Sequence, residues 1–237
     1  MAGAEDVLLR VSDARKRFGG RTALAGASCT VRRGSITGMI GPNGSGKSTL
    51  FNCIAGTERL DGGTVAFAGA RIDGKRPHEI CAVGIGRTFQ ISRLFREMTV
   101  LENLIAIAHG MSDAEAVRRA GELLELLEIR RLEHRWASEL SYGQRKLVEI
   151  GRALMLEPTM MLLDEPFAGI NPRLQNRIVR HLDALRGRGL TIFLIDHEMR
   201  IVLDVCDTVF VMNEGQVIAE GPPAQVRADP RVLEAYF

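Results

Sequence analysis

A chain of 237 residues can bury a substantial core as one large domain or as a domain with a subdomain, and its 46% apolar and 25% charged residues are ordinary for a globular protein. The 31 basic and 29 acidic residues leave a formal net charge of +2, which supplies no electrostatic case for nucleic acid or for an anionic membrane surface. Four scattered cysteines without a Cys-x-x-Cys pair argue against zinc and against a disulfide framework, so a reducing compartment is the default.

The acidic opening, residues 1–6, lacks the charged-then-apolar pattern of a signal peptide. No apolar run approaches the roughly 18–20 residues that span a bilayer, so another chain must hold this one at any membrane. Residues 7–13 and 29–31 read as antiparallel strands around the turn-prone Phe18-Gly19-Gly20. Residues 35–40 form a short apolar strand that runs into a glycine loop, and residues 47–55 form the helix after it. A second hairpin spans residues 64–67 and 71–72, and residues 85–89 read as a buried strand.

From Gln90 the pattern changes. Residues 100–108, 114–127 and 143–156 have helical periodicity, with Leu123, Leu124, Leu126 and Leu127 forming a broad apolar face. Alternation of strand and helix then resumes: strand 160–163, helix 172–186 opened by Pro172, strand 191–195, helix 198–205, and a closing strand pair, 208–212 and 217–220. The expected fold is α/β with a mainly parallel sheet, an antiparallel β subdomain and an inserted α-helical subdomain. Residues 1–89 and 157–237 make the core of one domain, and residues 90–156 the insertion.

Gly41-Pro42-Asn43-Gly44-Ser45-Gly46-Lys47-Ser48 matches Gly-x-x-x-x-Gly-Lys-Ser between a strand and a helix. Its glycines let backbone N–H groups close on phosphate oxygens. Lys47 reaches the β- and γ-phosphates, Ser48 ligates Mg²⁺, and Thr49 bonds the α-phosphate. The apolar strand before Asp164 places that carboxylate beside the metal, and Glu165 is placed to polarise an attacking water. His197 follows another apolar strand to the same edge, where it orients the water with Glu165. Gln90 reads as a ligand of Mg²⁺ or of that water, or as an exposed loop residue. Phe18 reads as a platform for adenine or as an ordinary core or surface phenylalanine. His78, His109, His134 and His181 have no such setting and are expected to face solvent. A second anion site opens at Ser141-Tyr142-Gly143-Gln144, where a serine and a glycine start a helix. Two such sites about a hundred residues apart suggest one ATP held between two copies of the fold.

Taken in order, these motifs resemble those of the ATP-binding cassette (ABC) ATPases over almost the whole chain. Residues 41–48 are similar to Walker A, Gln90 to the Q-loop, residues 140–144 to the signature motif and residues 160–164 to Walker B. Glu165 matches the catalytic base, His197 the switch histidine and Phe18 the adenine-stacking aromatic. The resemblance implies a P-loop NTPase core that hydrolyses ATP with Mg²⁺ as a head-to-tail dimer. Phe18, Asn43, Gly44, Ser45, Gly46, Lys47, Ser48 and Thr49 would then hold one nucleotide, and Ser141, Gly143 and Gln144 the partner's. Glu165, His197 and Gln90 would be catalytic, and Ser48, Gln90 and Asp164 would hold the metal. Two departures stand out: Tyr142 replaces a glycine, and Asn171 stands where the D-loop usually ends in Asp.

Residues 87–90, 141–144 and 166–172, with the tail Ala235-Tyr236-Phe237, look like those of branched-chain amino-acid importer ATPases. Lipopolysaccharide-export and urea-import ATPases share much of this pattern. The implied partners are transmembrane permease subunits, a second ABC ATPase subunit and, indirectly, a substrate-binding protein, at the cytoplasmic face of the inner membrane. A non-transport ABC ATPase acting on nucleic acid is the competing class. Its usual long coiled coils or paired cassettes are not in this sequence.

Overall fold

The computed structural model describes residues 6–88 and 93–236, and within these a hairpin of long strands comes first. Strands β1 (Val7–Phe18) and β2 (Arg21–Arg32) pair antiparallel through the two-residue turn Gly19-Gly20. Both run well past the residues 7–13 and 29–31 expected of them. Their polar residues face solvent while Ala14, Leu24 and Ala27 face inward, so small and widely spaced apolar positions suffice for burial on one face. Strand β3 (Ile36–Ile40) leads through the glycine loop to helix α1 (Lys47–Ile54). Strands β4 (Gly62–Phe67) and β5 (Ala70–Arg71) complete a four-stranded antiparallel sheet ordered β2-β1-β4-β5.

A six-residue helix, α2 (Pro77–Ala82), precedes strand β6 (Ile85–Arg87). It went unseen in the sequence because one turn and a half carries no periodicity. Helices α3 (Val100–Ile105), α4 (Asp113–Leu126) and α5 (Tyr142–Met155) then pack on one another. Thr99, Ser112 and Ser141 cap them, accepting from the N–H groups of Glu102, Glu115 and Gln144. Strand β7 (Met160–Asp164), helix α6 (Pro172–Gly187), strand β8 (Thr191–Ile195), helix α7 (Met199–Val205) and strands β9 (Thr208–Asn213) and β10 (Gln216–Gly221) follow. Two proline-started helices absent from the sequence reading, α8 (Pro223–Ala228) and α9 (Pro230–Tyr236), close the described chain.

The second sheet is ordered β10-β9-β3-β8-β7-β6; its first pair is antiparallel and the rest are parallel. Strands β3, β7 and β8 are buried along their whole length, as strands covered on both faces must be. Alternate residues serve two cores. Leu162, Phe193 and Ile195 meet the antiparallel sheet and α1, with the rings of Phe51 and Phe193 4.8 Å apart, whereas Leu163, Ile192 and Leu194 meet the helical layer. His181 belongs to that second interior. It is only 5% exposed on the inner face of α6, so the expectation that it faces solvent is corrected. The helical period places residue 181 with Ile178, Leu182 and Leu185, which overrides the polarity of one imidazole. Among the described residues, no helix is long and apolar enough to cross a membrane.

Register does the positioning. Met39 pairs with Ile195, and Ile195 pairs with Asp164, so β3, β8 and β7 end level with one another. The glycine loop, the Asp164-Glu165 pair and the Asp196-His197 pair are thereby delivered to one edge of the sheet.

Candidate active site

The loop after β3 is built from backbone that only glycine tolerates. Gly46 sits at φ +105 as the first cap of α1, and a Cβ there would lie 2.5 Å from the carbonyl oxygen of Ala23. No side chain caps α1, so its leading N–H groups remain available to an anion. Lys47 Nζ donates back across the loop to the carbonyls of Gly41 (2.7 Å) and Pro42 (2.9 Å) and to Ser45 Oγ (3.4 Å). Burial lowers the Lys47 pKa, and the charge of Glu165 opposes that shift. Such an ammonium gains from an incoming phosphate, which supplies the negative charge that the loop carbonyls lack.

A cleft of about 340 Å³ lies over the loop. It brings together Phe18, Asn43, Gly44, Gly46, Lys47, Ser48, Thr49 and Glu165, eight of the residues chosen from sequence. Ser45 is buried beneath the loop, where its carbonyl accepts from Gly215 N at 2.9 Å. Phe18 is 46% exposed at the tip of the hairpin, which excludes the core alternative for it; Lys16 Nζ lies 5.1 Å from the ring centroid. Arg21 and Ala23 also line the cleft and were missed. Arg21 pairs with Phe18 across the two-residue turn, a placement readable only once β1 and β2 are known to extend that far.

Asp164 ends β7 almost fully buried, 3.4 Å from Arg87 Nη2. Its backbone N–H donates to Thr88 Oγ1 at 3.3 Å. Burial raises its pKa, and the Arg87 guanidinium only partly compensates. A strand-end carboxylate in that state and the Ser48 hydroxyl at the head of α1 are hard oxygen donors, which suits them to a divalent cation such as Mg²⁺. Glu165 adopts φ 49, a left-handed conformation uncommon for glutamate, and its N–H donates to Ile195 O at 2.8 Å. His197, half exposed, places Nδ1 3.7 Å from Glu165 Oε1 and 3.7 Å from Asp196 Oδ1. Asp196 is wholly buried and braces this corner by accepting from the N–H groups of Phe167 (2.9 Å) and Glu198 (3.0 Å). Sequence reading passed over Asp196, because a carboxylate spent on backbone N–H groups has no local signature. Gln90 lies outside the described residues.

Ser141, Gly143 and Gln144 do not line the Lys47 cleft. Ser141 and Gln144 form a capping box: Ser141 N donates to Gln144 Oε1 at 2.8 Å and Gln144 N donates to Ser141 Oγ at 3.3 Å. Ser141 is exposed, whereas Gly143 is buried against α6, where a Cβ would lie 2.0 Å from Leu174 Cδ2. The capped end of α5 thus lies apart from the cleft over the glycine loop.

Residues 24–168 match the family described as ABC transporter. The chain belongs to that family. Its last residues, 216–237, match a second family, described as branched-chain amino acid ATP-binding cassette transporter. Over 249 residues the chain is 44% identical to the probable branched-chain amino acid transport ATP-binding protein LivG of Methanocaldococcus jannaschii, with 97% of each covered. The solved ADP conformation of MJ1267, an ATP-binding cassette of an ABC transporter, is 43% identical with a TM-score of 0.89, over 97% of this chain and 98% of that one. The dimeric ABC transporter cassette MJ0796 is 25% identical with a TM-score of 0.83, over 91% and 99%. The cassette is thus an ABC ATPase, a nucleotide-binding subunit.

Proposed function

We propose that this cassette is the motor of an importer for branched-chain or related amino acids. The observation that carries the substrate class is the match of residues 216–237 to the branched-chain family, joined to full-length likeness to LivG. The periplasmic or extracellular binding protein that would deliver the amino acid acts on the permease, not on this chain. The cassette would sit at the cytoplasmic face of the membrane and engage no nucleic acid.

ATP enters the cleft over the glycine loop with its adenine on Phe18 and its phosphates against the N–H groups of residues 43–49 and Lys47. Thr49 bonds the α-phosphate, as its place one residue beyond Ser48 allows. Ser48 and Asp164, with Gln90, are the residues that would hold Mg²⁺, which when bound neutralises charge on the β- and γ-phosphates. Glu165 accepts a proton from the attacking water, and His197, within 3.7 Å of its carboxylate, holds water and γ-phosphate in line. Ser141, Gly143 and Gln144 at the head of α5 complete the partner's site in a head-to-tail dimer, so hydrolysis belongs to the closed pair.

The domain division that fits this cycle is a core of residues 1–89 and 157–237 with residues 90–156 as the moving insertion. A groove of about 280 Å³ beside α5, lined by Arg87, Thr88, Arg93, Glu149 and Arg152, suits a permease element. Reconstitution with branched-chain amino-acid permease subunits tests the reading. ATP-driven uptake of leucine, isoleucine or valine is expected; transport of urea or lipopolysaccharide instead would overturn the substrate class.

A further inference from the structure

The head of α5 reaches the catalytic corner of its own subunit through one side chain. Lys146, only 6% exposed, directs Nζ to the main-chain carbonyl of Glu165 and donates a hydrogen bond to it. The same ammonium lies 5.5 Å from the centroid of the Tyr142 ring, which stands over Gly169 on the segment after Glu165. An ammonium withdrawn from water needs strong acceptors, and a backbone carbonyl with an aromatic face nearby supplies them.

The carbonyl it holds is not an ordinary one. Glu165 is left-handed at φ 49, and the direction of its carboxylate follows from that backbone. Its N–H is held by Ile195 O at 2.8 Å, and its carbonyl is held by Lys146 together with a longer bond from Ala168 N at 3.4 Å. Both peptide groups that set the glutamate side chain in the cleft are thus fixed, one by the sheet and one by α5. Five residues before Lys146 stands Ser141, the cap of α5, which does not line this cleft.

We infer that Lys146 is a positioning residue that registers Glu165 of one ATP site to the signature helix that serves the other. This rests on the ATPase and dimer reading above. Movement of α5 when Ser141 engages the partner's nucleotide is carried by the Lys146 ammonium to the peptide of Glu165, so each site senses the other. A glutamine or an apolar residue at position 146 would pack, but the first reaches less far and the second donates nothing.

The test is steady-state ATP hydrolysis by the full chain with its permease partners, comparing wild type with Lys146→Met, Lys146→Arg and Lys146→Gln. Lys146→Met keeps the stem and removes the donor. Its kcat should fall about tenfold to a hundredfold, the scale expected when a catalytic group is displaced by a fraction of an ångström. KM for ATP and the melting temperature should stay near wild type, and the Hill coefficient for ATP should fall towards one. Lys146→Arg, which restores charge and donors, should recover much of kcat and of the cooperativity. Wild-type kcat and Hill coefficient in a folded Lys146→Met would overturn the proposal, as would a kcat loss that tracks lost thermal stability and is not rescued by arginine. If Lys146→Met does not fold, Lys146→Gln decides: reduced kcat at unchanged KM supports the proposal, and wild-type turnover refutes it. An inactive wild-type complex would refute the ATPase reading itself, a result distinct from an active wild type that is indifferent to residue 146.

Discussion

Gly143 offers a sharp test, because the structure gives its glycine a reason unrelated to nucleotide. A methyl group at residue 143 would point into α6, 2.0 Å from Leu174 Cδ2 and 3.6 Å from Ile170 Cγ2. Alanine is worth about 1 kcal/mol more than glycine in a helix interior. Against that stands the cost of overpacking, about 1–3 kcal/mol. Leu174 is half-buried and the clashing atom is the far end of its side chain, so it can rotate towards solvent, and the lower half of that range applies. Gly143→Ala should therefore destabilise by only about 0–1 kcal/mol, a melting shift of at most roughly 4 °C for a chain of this size. ATP turnover should fall much further, because the part of the push that Leu174 does not absorb shifts the head of α5 that carries Ser141. Adding Leu174→Ala removes the obstruction. The double variant should unfold close to Leu174→Ala alone and regain most of that variant's ATPase rate, a non-additivity expected of two residues in contact. Urea unfolding and a coupled ATPase assay on all four proteins measure both. A double variant that folds well yet stays inactive would show that the ligand itself demands glycine, and the packing argument would be wrong.

Glu165→Gln preserves shape but accepts no proton, and should cut turnover by about 10²–10⁴ while a nucleotide-bound dimer accumulates; full activity in a chromatographically monomeric variant would remove Glu165 as the base. Arg21 lies against the glycine loop, with Nη2 3.0 Å from where a Gly44 Cβ would be, so Arg21→Ala should raise KM for ATP about twofold to fivefold with kcat unchanged. An unchanged KM would place the guanidinium in solvent only. His181 supplies a pH dependence. Burial lowers its pKa, so below the ordinary imidazole value of about 6.5 the unfolded chain binds the proton more readily than the folded one. Its contribution is complete above that pH and is lost as pH falls from there towards the folded value. His181→Leu should flatten the loss of stability between pH 7 and 5 in urea titrations, and an unchanged slope would refute the assignment.

Much of the fold was legible because it is repeated locally. Three short, mostly apolar runs, each leading into a glycine or a carboxylate, announce β3, β7 and β8 and the edge where they end. The length of β1 and β2 was not legible, since one buried residue in three, as at Ala14, Leu24 and Ala27, resembles a polar loop. Helices α2, α8 and α9 are too short for their period to register.

The candidate site divides the same way. The loop from Gly41 to Thr49 is contiguous backbone, so its residue types alone imply an anion cradle, and the chain folds them into the floor of one cleft with Phe18 and Glu165. Periodicity says which face of a helix is buried but never what it is buried against. Gly143 against Leu174, Asp196 beneath Phe167, and Lys146 on the carbonyl of Glu165 are partnerships between elements, decided by strand register and by how α5 and α6 seat on the sheet. Residue identity along the chain was enough to name the chemistry; the packing of distant segments chose which side chains hold that chemistry in place.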